Sequence, residues 1–130
     1  MRDRPSAADL IEIAREVLQQ ELLPRLPAEA RIQGLMVANA LANAEREIAA
    51  GTAPLLAELA RLASHYGESM EAAGGEQLQA TLARLNRRLV ADIRAGRLDG
   101  DREIARHLFA TSVDAVRESN PKYLKSRGIE

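Results

Sequence analysis

Arg31-Ile-Gln-Gly-Leu-Met-Val-Ala-Asn-Ala-Leu-Ala-Asn-Ala-Glu-Arg-Glu-Ile-Ala-Ala50 reads as a helix with almost no polar side. Between Gly34 and Ala44 the only polar residues are Asn39 and Asn43. A 3.6-residue period puts Gly34, Val37, Leu41, Ala44 and Ile48 on one face and Ile32, Leu35 and Met36 on the opposite one. A helix that is apolar on two sides is normally surrounded by others. The 28–50 segment is therefore expected to be the central spine of an all-α bundle, with both asparagines in or beside the core and in need of partners.

Composition points the same way. Hydrophobic residues make up 46% of the 130 residues and aromatic ones only 2%, so the core must be leucine, isoleucine, valine and alanine. That mixture favours helices over sheets. The length suits one helical domain, 1–130, without metals or crosslinks. A net charge of −1 argues against generic binding to nucleic acid or anionic membrane. The chain has no cysteine, which excludes disulfides, thiolate nucleophiles and cysteine-ligated zinc. Met1-Arg-Asp-Arg-Pro-Ser leads straight into an amphipathic pattern, and no run approaches the roughly 18 apolar residues of a membrane span. A soluble, cytoplasmic protein is expected.

About five helices, mostly antiparallel, can be read outward from the spine. Ser6 followed by Asp9 is a capping-box start, and Leu10, Ile11, Ala14, Val17, Leu18 and Leu22 form one stripe before Pro24 and Pro27. Gly51 closes the spine, and Thr52 reads as the cap of a third helix with Leu55, Leu56, Leu59, Leu62, Ala63 and Tyr66 inward. Glu68 to Gly75 looks like the longest loop. A fourth helix, about 76–95, turns Leu78, Leu82, Leu85, Leu89 and Ile93 inward. Asp99 or Asp101 caps a fifth, whose inner face holds Ile104, Leu108, Ser112 and Ala115, widened by Phe109 and Val116. Asn120-Pro121 breaks it, leaving a short tail with Tyr123 and Leu124.

Catalytic signatures are missing. Gly74-Gly75 lacks the lysine and spacing of a phosphate loop, and His65 and His107 form no helical ligand pair, so neither a cofactor nor a metal is implied. Glu21 falls in the middle of the first apolar stripe, where a carboxylate must be neutralised, paired or turned toward a groove. Arg31, Arg46, Asn39 and Asn43 of the spine could satisfy it, most directly Arg31, Arg46 or Asn43. The result would be a structural network, a polar ligand pocket or a catalytic carboxylate. Arg84, Arg87, Arg88 and Arg94 share the fourth helix, either as a solvated face or as contacts to an anionic partner. Tyr123 is either a staple holding the tail or an exposed docking residue.

Several landmarks together resemble a small all-helical bacterial family of unknown function. They are Arg4-Pro5-Ser6-Ala7, Val37-Ala38-Asn39-Ala40-Leu41 followed by Arg46-Glu47, Leu85-Asn86 with Ile93-Arg94-Ala95-Gly96, and Asn120-Pro121-Lys122-Tyr123-Leu124. The resemblance implies proteins encoded beside aminoglycoside-phosphotransferase-like kinases and acyl-CoA-dehydrogenase-like enzymes. In that setting at least part of the group resembles the small partner of a kinase acting on hydroxyacyl-CoA thioesters. Asn39, Arg46, Glu47, Asn86 and Tyr123 are motif positions without assigned roles.

The leading expectation is a non-catalytic accessory subunit of such a kinase, in hydroxyacyl-CoA or short-chain acid catabolism. The alternative is an acyl-CoA-like ligand-binding protein or enzyme with a polar pocket around Glu21, Asn39, Asn43 and Arg46. A DNA-binding regulator is disfavoured by the near-zero charge. An aromatic-poor bundle of this size is also expected to leave an apolar strip, rimmed by arginine and glutamate, to be covered in a homodimer or by the kinase-like partner.

Overall fold

The first helix begins where a hydroxyl and a carboxylate exchange bonds. Ser6 Oγ accepts from the Asp9 amide at 3.2 Å, and Asp9 Oδ2 accepts from the Ser6 amide at 2.8 Å. These bonds hold the Asp9 carboxyl below its usual range, through Ser6. The structure, a computed structural model, describes residues 5–69 and 75–129. Among them are helices α1 (Ala7–Val17), α2 (Ala28–Ala50), α3 (Ala53–Tyr66), α4 (Gly75–Arg94), α5 (Arg102–Ser119) and α6 (Pro121–Ser126), and no strand. The fold class is all-α, as expected. No helix among the described residues is long and apolar enough to cross a membrane.

The helices group into two compact units, Met1–Gly51 and Thr52–Glu130. In the first, α1 and α2 pack side by side. The chain leaves α1 through a π-helical turn, Leu18–Leu22, and a 3₁₀ turn, Leu23–Arg25, that contains Pro24. The 3₁₀ turn presses on α2 at Gly34. A Cβ at Gly34 would lie 2.6 Å from Leu23 Cδ2 and 2.7 Å from Leu26 Cδ1.

Two expectations change here. Within its own unit the 28–50 helix is not enclosed: only Gly34 and Ala38 of α2 are buried, and Ile32, Leu35, Met36, Val37 and Ile48 are exposed. One stripe of α2, around the small residues, suffices to seat α1, so within this unit the opposite apolar face has no neighbour. The packed face of α1 is also rotated from the expected stripe. Ile11, Arg15 and Leu18 are partly buried, whereas Leu10, Ile13 and Val17 are exposed. Both stripes of α1 are apolar, so periodicity alone does not choose between them.

The second unit holds the main core. Leu59 and Leu62 of α3, Leu78, Leu82, Leu85 and Leu89 of α4, and Ile104 of α5 form one buried cluster, flanked by Leu55, Tyr66 and Leu98. On α4 the expected face is buried apart from Ile93, which is exposed at the end of the helix. On α5 the buried face is Ile104 and His107 with Thr111 and Asp114 partly covered, while Leu108, Phe109, Ser112 and Ala115 are exposed. The rotation follows from α3, where Arg61 faces α5 and requires polar partners. Asp101, not Asp99, caps α5, accepting from the amides of Glu103 at 2.8 Å and Ile104 at 3.1 Å. Thr52 makes no side-chain bond at the start of α3. Most of the expected 68–75 loop lies outside the described residues. The tail is helical, and α6 packs on α5.

Candidate functional site

Glu21 sits in the π-helical turn and is exposed. It makes no hydrogen bond or ion pair among the described residues, so the expected link to Arg31, Asn43 or Arg46 does not form. Leu10, Ala14 and Val17, the stripe Glu21 is expected to share, are exposed as well, so Glu21 lies on the face of the segment that does not pack on α2.

The other expected pocket residues lie along α2. Ile32, Met36, Asn39, Asn43 and Arg46 follow alternating steps of four and three, so they share one side of the helix. Ile32, Leu35, Met36, Asn39 and Glu47 are exposed, Asn43 and Arg46 are half-buried, and Arg31 is exposed. Arg46 Nη2 donates to Asn43 Oδ1, one turn earlier. The stripe is thus apolar toward its N-terminal half and amide-and-charge toward its C-terminal half. On α1, Leu10, Ile13 and Val17 form a second exposed apolar stripe. Ile32 is 69% exposed and Met36 66% exposed, values unusual for large apolar side chains.

The partner that actually reaches α2 from α1 is Arg15. Its Nε donates to Glu45 Oε2 at 2.8 Å, its Nη2 to Glu45 Oε1 at 3.4 Å, and its Nη1 to Gln19 Oε1 at 3.2 Å. This fork on a carboxylate raises the Arg15 pKa, the Glu45 hydrogen bond being the main cause. An arginine on an apolar stripe signalled the pair in principle, but its partner lies 30 residues away.

The arginines of α4 divide into two groups. Arg84 donates to Glu68 at 3.0 Å, and Arg88 lies 3.6 Å from the same carboxylate and 4.1 Å over the Tyr66 ring. Arg84 holds the Glu68 carboxyl below its usual range. Tyr66 Oη donates to Asp92 at 2.9 Å, and Arg97 donates to the same carboxylate. Arg97 and then Tyr66 lower the Asp92 pKa, while burial and the Asp92 bond raise that of Tyr66. These cations are neutralised at home. Arg87 and Arg94 instead flank a shallow hollow with Asn86 and Val90, and both are exposed. Asn86 Nδ2 donates to Glu58 Oε1 at 2.7 Å, tying α4 to α3. Tyr123 is exposed under Arg127, and Leu124 is the residue that anchors α6.

A polar cluster that the sequence reading passed over joins α3 to α5. Arg61 Nε donates to His107 Nδ1 at 3.3 Å, and Arg61 Nη2 donates to Thr111 Oγ1 at 3.2 Å with Asp114 Oδ2 at 3.9 Å. His107 is 5% exposed. Burial first, and then the charge of Arg61, push its pKa below the ordinary histidine value. Among the described residues no group of three His, Asp or Glu side chains is placed to hold a metal ion.

A family model described as Domain of unknown function (DUF6285) matches residues 24–123. The match runs from the 3₁₀ turn to Tyr123 in the first half of α6, taking in the exposed stripe of α2 and the α3–α5 polar cluster. No curated protein and no solved structure matches the chain significantly. With more than half of its length covered by that one model, the chain belongs to the DUF6285 family.

Proposed function

We propose that the protein is a non-catalytic accessory subunit that docks on a larger enzyme through the outer stripes of α1 and α2. The observation that carries this reading is the pair of uncovered apolar stripes, Leu10, Ile13 and Val17 on one helix and Ile32, Leu35 and Met36 on the other. These side chains are 40% to 69% exposed, so leaving them in water forgoes roughly half of the 1.5–3 kcal/mol apiece that full burial supplies. Contiguous apolar surface of more than a few hundred Å² marks interaction sites on otherwise polar proteins. Asn39, Asn43, Arg46 and Glu47 continue the α2 stripe with groups that fix register and orientation in a helix-to-helix contact.

The resemblance described for the sequence supplies the enzyme: an aminoglycoside-phosphotransferase-like kinase acting in hydroxyacyl-CoA or short-chain acid breakdown in the cytoplasm. Co-expression of the two proteins followed by size-exclusion chromatography tests this directly. Co-elution, with kinase activity that falls when this chain is omitted, is expected. Separate elution together with full activity of the kinase alone would defeat it.

A further inference from the structure

Between α3 and α5 lies an open groove of about 510 Å³ lined by Arg61, His65, Glu103, Arg106 and His107. Ala60, Ile104 and Ala110 supply its apolar wall. We propose that this groove is a binding site for a small oxyanion, a carboxylate or a phosphate, received by the Nε2–H of His107 and the guanidinium group of Arg106, with Arg61 holding the imidazole from its other edge.

The argument starts from the tautomer of His107. Arginine has donors and no acceptor, so the Arg61 Nε–H on His107 Nδ1 requires a lone pair at Nδ1. A neutral imidazole then carries its proton on Nε2. The cation beside the ring and its burial both oppose a second proton. His107 is therefore a fixed neutral donor, held in one orientation by α3.

Nε2 makes no hydrogen bond among the described residues. No buried side-chain nitrogen or oxygen among them is left without a partner, so Nε2 is not sealed in the core. Its outlet is the groove that His107 lines. A donor with a set direction at the floor of a groove, two arginines on the walls and one carboxylate, Glu103, suit an acceptor-rich, negatively charged ligand. Arg61 spends its Nε and Nη2 on His107 and Thr111, which fixes the plane of its guanidinium. The alanine and isoleucine wall leaves room for a short apolar portion next to the charged end.

Titration of the intact chain at pH 7.5, followed by the imidazole resonances of His107 in ¹H–¹⁵N NMR, tests the site. Inorganic phosphate and sodium butyrate are the two probes, and sodium chloride at matched ionic strength is the control. A saturable shift of the Nε2 resonance with either probe and none with chloride is expected; the tighter probe identifies the ligand as a phosphate or a carboxylate. Arg106→Gln, at an exposed position with no partner among the described residues, should weaken that binding about tenfold, as loss of one charge-assisted bond would. A shift that rises linearly and equally with all three salts would overturn the proposal. So would binding that Arg106→Gln leaves unchanged.

Discussion

Ile32→Glu combined with Met36→Glu separates a docking face from a folding face. The two residues are 69% and 66% exposed, so roughly two-thirds of each side chain is already in water. Removing them should change the stability of the isolated protein by less than about 1 kcal/mol, including a few tenths for two like charges one turn apart. In a complex the same two-thirds becomes buried. At about 1.5–3 kcal/mol for a fully buried side chain, the pair contributes about 2–4 kcal/mol to association. The double variant should then bind roughly thirty- to several-hundred-fold more weakly to the kinase-like partner. Calorimetric titration measures the affinity, and urea unfolding of each protein alone controls for folding. Leu85→Ala is the contrasting variant. Leu85 is fully buried in the α3–α5 core, and its truncation should cost about 2–5 kcal/mol of stability. Affinity within threefold of the parent for a folded Ile32→Glu/Met36→Glu protein would refute the reasoning.

Three further outcomes are expected. His107 titrates in the folded protein below its ordinary 6.5, so the unfolded chain takes up the proton first as pH falls. Its contribution to stability is complete above 6.5 and is lost as pH drops through the folded value; urea midpoints from pH 7.5 to 5 should fall less steeply in His107→Gln, and parallel curves would contradict this. The Arg15–Glu45 pair is 25% and 30% exposed, and a double-mutant cycle with Arg15→Gln and Glu45→Gln should give a coupling of about 1 kcal/mol that shrinks in 0.5 M salt, with zero coupling as the contrary result. At Gly34 the gain in helix propensity, about 1 kcal/mol, offsets the shift of two leucine methyls in Gly34→Ala, whereas the branched side chain in Gly34→Val should cost about 1–3 kcal/mol by thermal denaturation. Equal stability of the two variants would show that Leu23 and Leu26 do not press on the helix.

Much of the chemistry that acts within a few residues was legible in the sequence, although the expected Thr52 cap makes no side-chain bond. The Ser6–Asp9 box, the glycines that close α2 and α3, the Asp101 cap and the Asn120-Pro121 break are all set by neighbours along the chain. The α4 face at Leu78, Leu82, Leu85 and Leu89 was legible because its opposite side is polar. On α1 and α2 both sides are apolar, and the choice of packed stripe was made by tertiary fit around Gly34 and Ala38. Glu21 is exposed for the same reason: it belongs to the Leu10, Ala14 and Val17 side of α1, and the side that packs is that of Ile11, Arg15 and Leu18. The Arg61–His107 bond spans 46 residues, and its direction across two helices decides which face of α5 is buried.

The central claim is that the outer stripes of α1 and α2 are a partner's seat. Hydrogen–deuterium exchange of the protein alone and in complex with the co-expressed kinase-like enzyme tests it residue by residue. Slowed exchange is expected across 10–17 and 32–47, with α4 unchanged at Arg87 and Arg94. Protection confined to α4 or α5, or none on α1 and α2 in a complex that does form, would contradict the account.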